Sequence, residues 1–267
     1  MTLPWSSSTY KQISLDRQSL LCHMPDSLQK SLVRAWEHHY EELYESEADG
    51  TVLLEEVLEE ILHSFEGCNQ TLKHIRYVWM ALILACTVEP TVKYYQPHNS
   101  EPEATINHLT DWLLLNIREI FSDRSPLIRA SIGKVNNTSV NVCNLYSEKK
   151  ISHFQGLSEA LGVYISAIKT LEANCAVAAL LDILDDCLEG YAIFPGSYGR
   201  RELFNWWLWD VVPSTWYLFP PNSLYSLDKL NNEQNRLSLN RLKEISGNMW
   251  DIILPVTQGK KNSLAAQ

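Results

Sequence analysis

The chain reads as an all-α protein, a multi-helix bundle with irregular, orthogonal packing and no regular repeat. Three observations predict this class. Apolar residues recur at helical spacing through most of the chain, and the alternation typical of strands is nearly absent. Glycine and proline are few, 10 and 11 in 267 residues, and several fall where helices start and stop. With 45% hydrophobic residues, the chain can bury a large core, in one domain or in two closely joined ones.

Taken in order, residues 1–25 read as irregular chain. Asp26 or Ser27 can cap a first helix running to about Ser46, with Leu28, Leu32, Ala35, Trp36, Tyr40 and Leu43 near one stripe. Asp49-Gly50-Thr51 is a turn. A second helix to Phe65 turns Val52, Leu53, Val57, Leu58, Ile61, Leu62 and Phe65 inward, and its outer face carries most of the local acids. A third starts between Asn69 and Tyr77 and is apolar all round from Tyr77 to Val88, which predicts burial on most sides. Pro90 should end or kink it. Gln96 to Asn99 is a loop, and a fourth helix, capped by Ser100 with Pro102 in its first turn, runs to Phe121.

Residues 122–150 have the composition of a linker. The predicted layout is therefore an N-terminal half over 1–121, a C-terminal half over 151–257 and a disordered tail over 258–267. One domain over 1–257 is the alternative. In the second half, a long helix from about Leu157 to Glu189 stops at Gly190. Another covers about Arg200 to Val212, and a last one roughly Arg241 to Ile253. Between Gly190 and Pro221, ten of 32 residues are aromatic, with four of the nine Trp. That stretch is either the densest part of the core or an interaction surface, for a partner or a second copy in a homodimer.

The net charge of −10 is unevenly placed. Between Arg34 and Lys73 stand eleven of the 32 acids and no Lys or Arg, leaving 21 acids against 22 bases elsewhere. Glu41, Glu42, Glu45, Glu55, Glu56, Glu59 and Glu60 belong to this block. Such a face disfavours nucleic acid, which needs clustered cations. It either keeps the protein solvated or steers a basic protein partner. The first thirty residues lack a secretory signal pattern, and the longest apolar runs read as too short to span a bilayer. Six scattered Cys without Cys-x-x-Cys read as reduced thiols. A cytoplasmic location with no membrane contact is the expectation.

Residues 83–115 contain Pro97, Pro102, Ile106, Trp112 and Leu113 in a helix, proline-rich loop, helix arrangement. This segment resembles one in an all-α family of immunity proteins from bacterial polymorphic toxin systems. Asn99, Glu101 and Thr105 stand where that family has Asp, Arg and Ala. The resemblance implies a non-catalytic protein that binds and neutralises a toxin.

Candidate chemistry gathers in the second half. Asp182, Asp185 and Asp186 continue the apolar stripe of the long predicted helix, and buried carboxylates need a cation or several donors. Mg²⁺ could supply it, as in helical enzymes that grip diphosphates. So could Arg200 or Arg201, returned by the Gly190–Gly199 turn. Gly196 to Gly199, followed by the two arginines, would otherwise suit an anion at a helix start. Glu60 and His63 have di-iron spacing, but no second copy exists.

The residues point first to a non-enzymatic, cytoplasmic binding protein whose acidic helical face meets a basic protein, with a toxin as the class the resemblance implies. No catalytic residue and no cofactor is assigned. A Mg²⁺-dependent enzyme acting on a phosphorylated or diphosphate substrate, through Asp182, Asp185, Asp186, Arg200 and Arg201, is one alternative. A structural or scaffold subunit is another.

Overall fold

Helices account for the regular structure, and no strand occurs among the described residues. The computed structural model describes residues 21, 23–65, 69–121, 155–193, 196–225 and 232–264. The predicted linker 122–150 lies outside them. The elements are α1 (Asp26–Glu37), a 3₁₀ turn (Glu41–Leu43), α2 (Leu54–His63), α3 (Gln70–Tyr95), α4 (Glu101–Phe121), α5 (Gln155–Lys169) and α6 (Ala176–Leu184). A π turn (Asp185–Glu189) then leads to α7 (Gly196–Trp206), a second π turn (Trp207–Val211), α8 (Val212–Trp216) and α9 (Asn232–Leu264).

The fold is built around α3. The Asn69 side chain caps it, accepting from the backbone N–H of Thr71 at 2.8 Å and of Leu72 at 3.4 Å. Every residue from Ile75 to Glu89 is buried, as the apolar run Tyr77–Val88 predicts for its own span, and burial extends beyond it to the charged Arg76 and Glu89. Helices α4, α5, α6, α8 and α9 all pack on it. Pro90 removes one helical donor but does not stop the helix, which continues to Tyr95. By length and composition α3 could cross a membrane, contrary to the reading that every apolar run is too short, but here 94% of its apolar window is buried inside the protein.

Both halves of the sequence contribute to one hydrophobic core. Specific donors tie the later elements to α3. Trp79 Nε1 donates to the Phe219 carbonyl at 2.9 Å, and Tyr164 Oη donates to the Ala85 carbonyl at 2.8 Å. Arg76, fully buried, donates from Nε to the Trp216 carbonyl at 2.9 Å while its guanidinium lies 3.5 Å from the Trp216 ring centroid. These three buried donors are satisfied in this way, and leaving them unmet would be costly in a low-dielectric interior.

Four elements differ from the expectations. Helix α1 ends at Glu37, not near Ser46, and His38 is extended. The long helix predicted from Leu157 to Glu189 is broken at Thr170–Cys175 into the packed pair α5 and α6. The helix predicted to end at Val212 passes instead through a π turn, Trp207–Val211, and runs without a break into the short further turn expected from Pro213, which is α8. Helix α9 starts before the expected Arg241 and reaches Leu264, across residues predicted to be a disordered tail.

Candidate functional site

The acidic block divides into an inward and an outward set. Glu45 belongs to the first. Its carboxylate is 12% exposed and sits 3.1 Å from Arg201 Nη1. It also accepts the Tyr40 backbone N–H at 2.9 Å and lies 3.0 Å from His39 Nδ1. Its acceptor capacity is used internally, so it is withdrawn from the predicted partner surface. Glu42 is half-buried, and its Oε1 accepts the Leu54 N–H at 3.2 Å, capping the free amides at the start of α2.

The outward set lies on α2. Leu54, Leu58, Ile61 and Leu62 are buried, and Glu55, Glu56, Glu59 and Glu60 are exposed on the other side. Glu55 and Glu56 have no ion-pair partner among the described residues, while Glu59 faces His63 at 3.4 Å. Glu60 accepts Ser31 Oγ at 3.0 Å and lies 3.5 Å from Arg34. Glu41 is exposed beside Gly50, whose φ of +66° suits a residue without a side chain. A β-carbon there would stand 2.9 Å from Glu41 Oε1.

The arginines do not meet Asp182 and Asp186, which corrects the internal ion pair expected from the sequence. Arg201 reaches the N-terminal half instead. Besides Glu45, it donates to the His38 carbonyl at 2.8 Å and to the Trp36 carbonyl. Those carbonyls lie at the end of α1, where helical partners run out and a cation is favoured. Arg200 is buried, and its Nη1 donates to the Leu188 carbonyl at 2.9 Å. Its guanidinium lies 4.8 Å from the Tyr44 ring centroid and 5.5 Å from that of Tyr191. The Gly199 carbonyl is taken by Tyr225 Oη at 2.9 Å.

The aspartates sit elsewhere. Asp182, with 58% of its side chain exposed, lies 3.7 Å from Lys169 Nζ and accepts from Ser166 Oγ at 3.3 Å. The break between α5 and α6 removes it from the predicted stripe. The Asp186 carboxylate leans over Gly162, where a β-carbon would come within 2.7 Å of its Oδ2. Burial pushes the Asp186 carboxyl up to about 7, with Glu159, Asp185 and Asp182 adding repulsion. Glu189 is likewise raised to about 7, by burial and then by Asp185, Glu42 and Glu55, against the opposing pull of Arg200. Asp185 is raised for the same leading reason. Among the described residues, no three His, Cys, Asp or Glu side chains are grouped to hold a metal ion.

The Trp-rich stretch is mostly core. Leu203, Phe204, Trp207 and Leu208 are fully buried. Trp209 packs edge-on against Trp36 at 6.1 Å, and Trp206 Nε1 donates to the Ser223 carbonyl at 2.9 Å.

Two features had no signal in the sequence. One is the π turn at Asp185–Glu189, where Gly190 N–H donates to the Asp185 carbonyl at 2.8 Å. The other is the placing of Tyr44, whose backbone is left-handed at φ 58° and whose ring is 60% exposed. Comparisons of the chain with protein-family models, with curated proteins and with solved structures found no match.

Proposed function

We propose that this chain is a non-enzymatic protein-binding protein whose acidic helical face receives a basic protein partner. The observation that carries this reading is the outer face of α2, where Glu55 and Glu56 stand exposed without a cation among the described residues. Carboxylates held on a rigid helix, with their own field unneutralised, speed encounter with a positive surface and disfavour a negative one. The likeness of the segment around Pro97 and Trp112 to immunity proteins supports a toxin as the partner class.

Affinity capture with the tagged chain from the source cells tests the reading. Proteins retained at low salt should carry net positive charge and should be released as ionic strength rises, because exposed charges are screened over about 10 Å at 0.1 M salt. Retention of neutral or acidic proteins alone, unaffected by salt, contradicts it.

A further inference from the structure

The π turn Asp185–Glu189 packs on α5, and carboxyl groups stand on both sides of the contact. Glu159 and Gly162, three residues apart on one face of α5, receive the turn. The half-buried Asp186 carboxyl rests against Gly162, where a β-carbon would stand 2.7 Å from its Oδ2. Glu159 accepts the Tyr191 N–H with its carboxylate, and its Oε1 accepts the Gln155 side-chain amide at 2.8 Å. A β-carbon at Gly190 would lie 2.6 Å from Glu159 Oε2, so the turn and α5 meet with no room to spare. Beyond the turn the chain is anchored. Ala192 N–H donates to the Asp186 carbonyl at 3.2 Å, and Thr91 Oγ1 of α3 donates to the Ala192 carbonyl at 2.6 Å.

The charged groups around the turn come from five elements. α5 contributes Glu159, α6 contributes Asp182, and the turn itself holds Asp185, Asp186 and Glu189. α7 contributes Arg200, which pulls on Asp185 and Glu189 while its Nη1 is bonded to the Leu188 carbonyl. The 3₁₀ turn and α2 add Glu42 and Glu55, which act on Glu189. Lys169 of α5 stays with the exposed Asp182. Every charge that acts on Asp186 itself, among the described residues, is therefore a carboxylate. No donor to its carboxyl occurs among them either, so its ionised form has neither a cation nor a hydrogen bond to offset burial.

We propose that the π turn is a proton-operated latch. With Asp186 neutral the turn lies closed on α5, and with Asp186 ionised the stretch from Asp185 to Tyr191 lifts away from Glu159. Ionisation sets like charges across a half-buried contact, and lifting the turn returns both to water. Opening breaks the Tyr191 bond to Glu159, carries the Tyr191 ring off Arg200 and uncovers Cys187, which is fully buried in the closed turn.

The direction of the pH dependence follows from proton binding. The closed turn holds the Asp186 proton to about 7, and the open one releases it in the ordinary carboxylate range. Opening therefore gives up a proton. Its equilibrium rises about tenfold per pH unit from that range up to about 7 and levels off above it.

The test is amide hydrogen exchange of the full chain from pH 5 to pH 8, with each rate divided by that of unstructured chain at the same pH. Protection at residues 186–192 should fall by roughly a hundredfold, while that of α3 holds. Asp186→Asn, which cannot ionise, should cut this fall by about tenfold or more. Glu159→Gln, which keeps an acceptor for Tyr191 but removes the facing charge, should also make the fall smaller. At pH 8 a neutral alkylating reagent should modify Cys187 about tenfold faster in the wild-type chain than in Asp186→Asn.

Protection at residues 186–192 that stays level across this range would overturn the latch. So would a fall of equal size in the wild-type chain and both variants, or equal alkylation of Cys187 with and without Asp186. A fall shared by all the helices would show general loosening in place of a local device, and would overturn it as well.

Discussion

At the residue scale, the carboxylates of Asp186 and Glu189 make the chain's stability depend on pH. Both hold their protons to about 7 when folded, whereas an unfolded chain releases them in the ordinary carboxylate range. The folded state is then the better proton binder. Their stabilising contribution is complete below the ordinary carboxylate value and is lost as pH rises through about 7. Glu89, lowered by Lys93 and Ser238 against its burial, and His74, lowered by burial, act in the opposite sense as pH falls. Thermal unfolding should therefore show a Tm lower at pH 8 than at pH 5.5, by about a few degrees. Asp186→Asn should shrink that difference, and an unchanged difference would mean that this carboxyl titrates normally. Arg201 was singled out by its sequence position, but its partners were not legible there. Glu45, His38 and Trp36 are more than a hundred and fifty positions away in the chain. Removing one partner of a largely buried charge pair costs about 3 kcal/mol or more, so Arg201→Ala should lower unfolding free energy by that order. Asp182→Ala, at an exposed carboxylate, should stay within about 0.5 kcal/mol. Equal losses in denaturant titrations would contradict the assignment of Arg201 to Glu45.

At the element scale, apolar periodicity made most of the helices legible, because burial of one face is what holds them. α4 follows its predicted course, and α3 is buried over its apolar stretch Tyr77–Val88 as expected. α2 turns Leu58, Ile61 and Leu62 inward as expected, but it ends at His63 before Phe65, and Leu53, expected inside, stands ahead of the helix and half exposed. Periodicity failed where a tertiary contact decides the outcome. α1 ends where an arginine from α7 takes up its last carbonyls, and the break between α5 and α6 allows the two to pack on each other and on α3. The π turns also escaped it, since one extra residue in a turn changes no composition. They matter for the site, because the first carries Glu189 and leads into Tyr191. Close packing holds it there: Tyr191 N–H donates to the Glu159 carboxylate, and Gly190 leaves room for a backbone approach. A β-carbon at Gly190 would stand 2.6 Å from the Asp186 carbonyl oxygen. Because that neighbour is backbone, Gly190→Ala should destabilise the chain by about 1–3 kcal/mol. Hydrogen exchange should quicken at residues 185–192 before elsewhere; uniform behaviour would show that the turn is not strained by the added carbon.

At the scale of the whole molecule, the charge asymmetry legible in the sequence is only partly a surface property. Glu45 is consumed by the core and Glu42 by a helix cap, which leaves Glu41 and the α2 glutamates outward. The sequence could not distinguish these groups, because it does not show which carboxylates the fold turns toward its own donors. The same core joins the two halves through α3, so denaturation should proceed as one cooperative transition for its described helices, with coincident fluorescence and circular-dichroism curves. The central claim is that the outward acids receive a basic protein. Its most direct test is the affinity of a captured partner for the wild-type chain against the Glu55→Lys, Glu56→Lys, Glu59→Lys variant. Glu60 stays in place because it is engaged with Ser31 and Arg34. The account predicts an affinity loss of about a hundredfold or more with an unchanged Tm, since like charges now face each other across the interface. An affinity equal to that of the wild-type chain would contradict it.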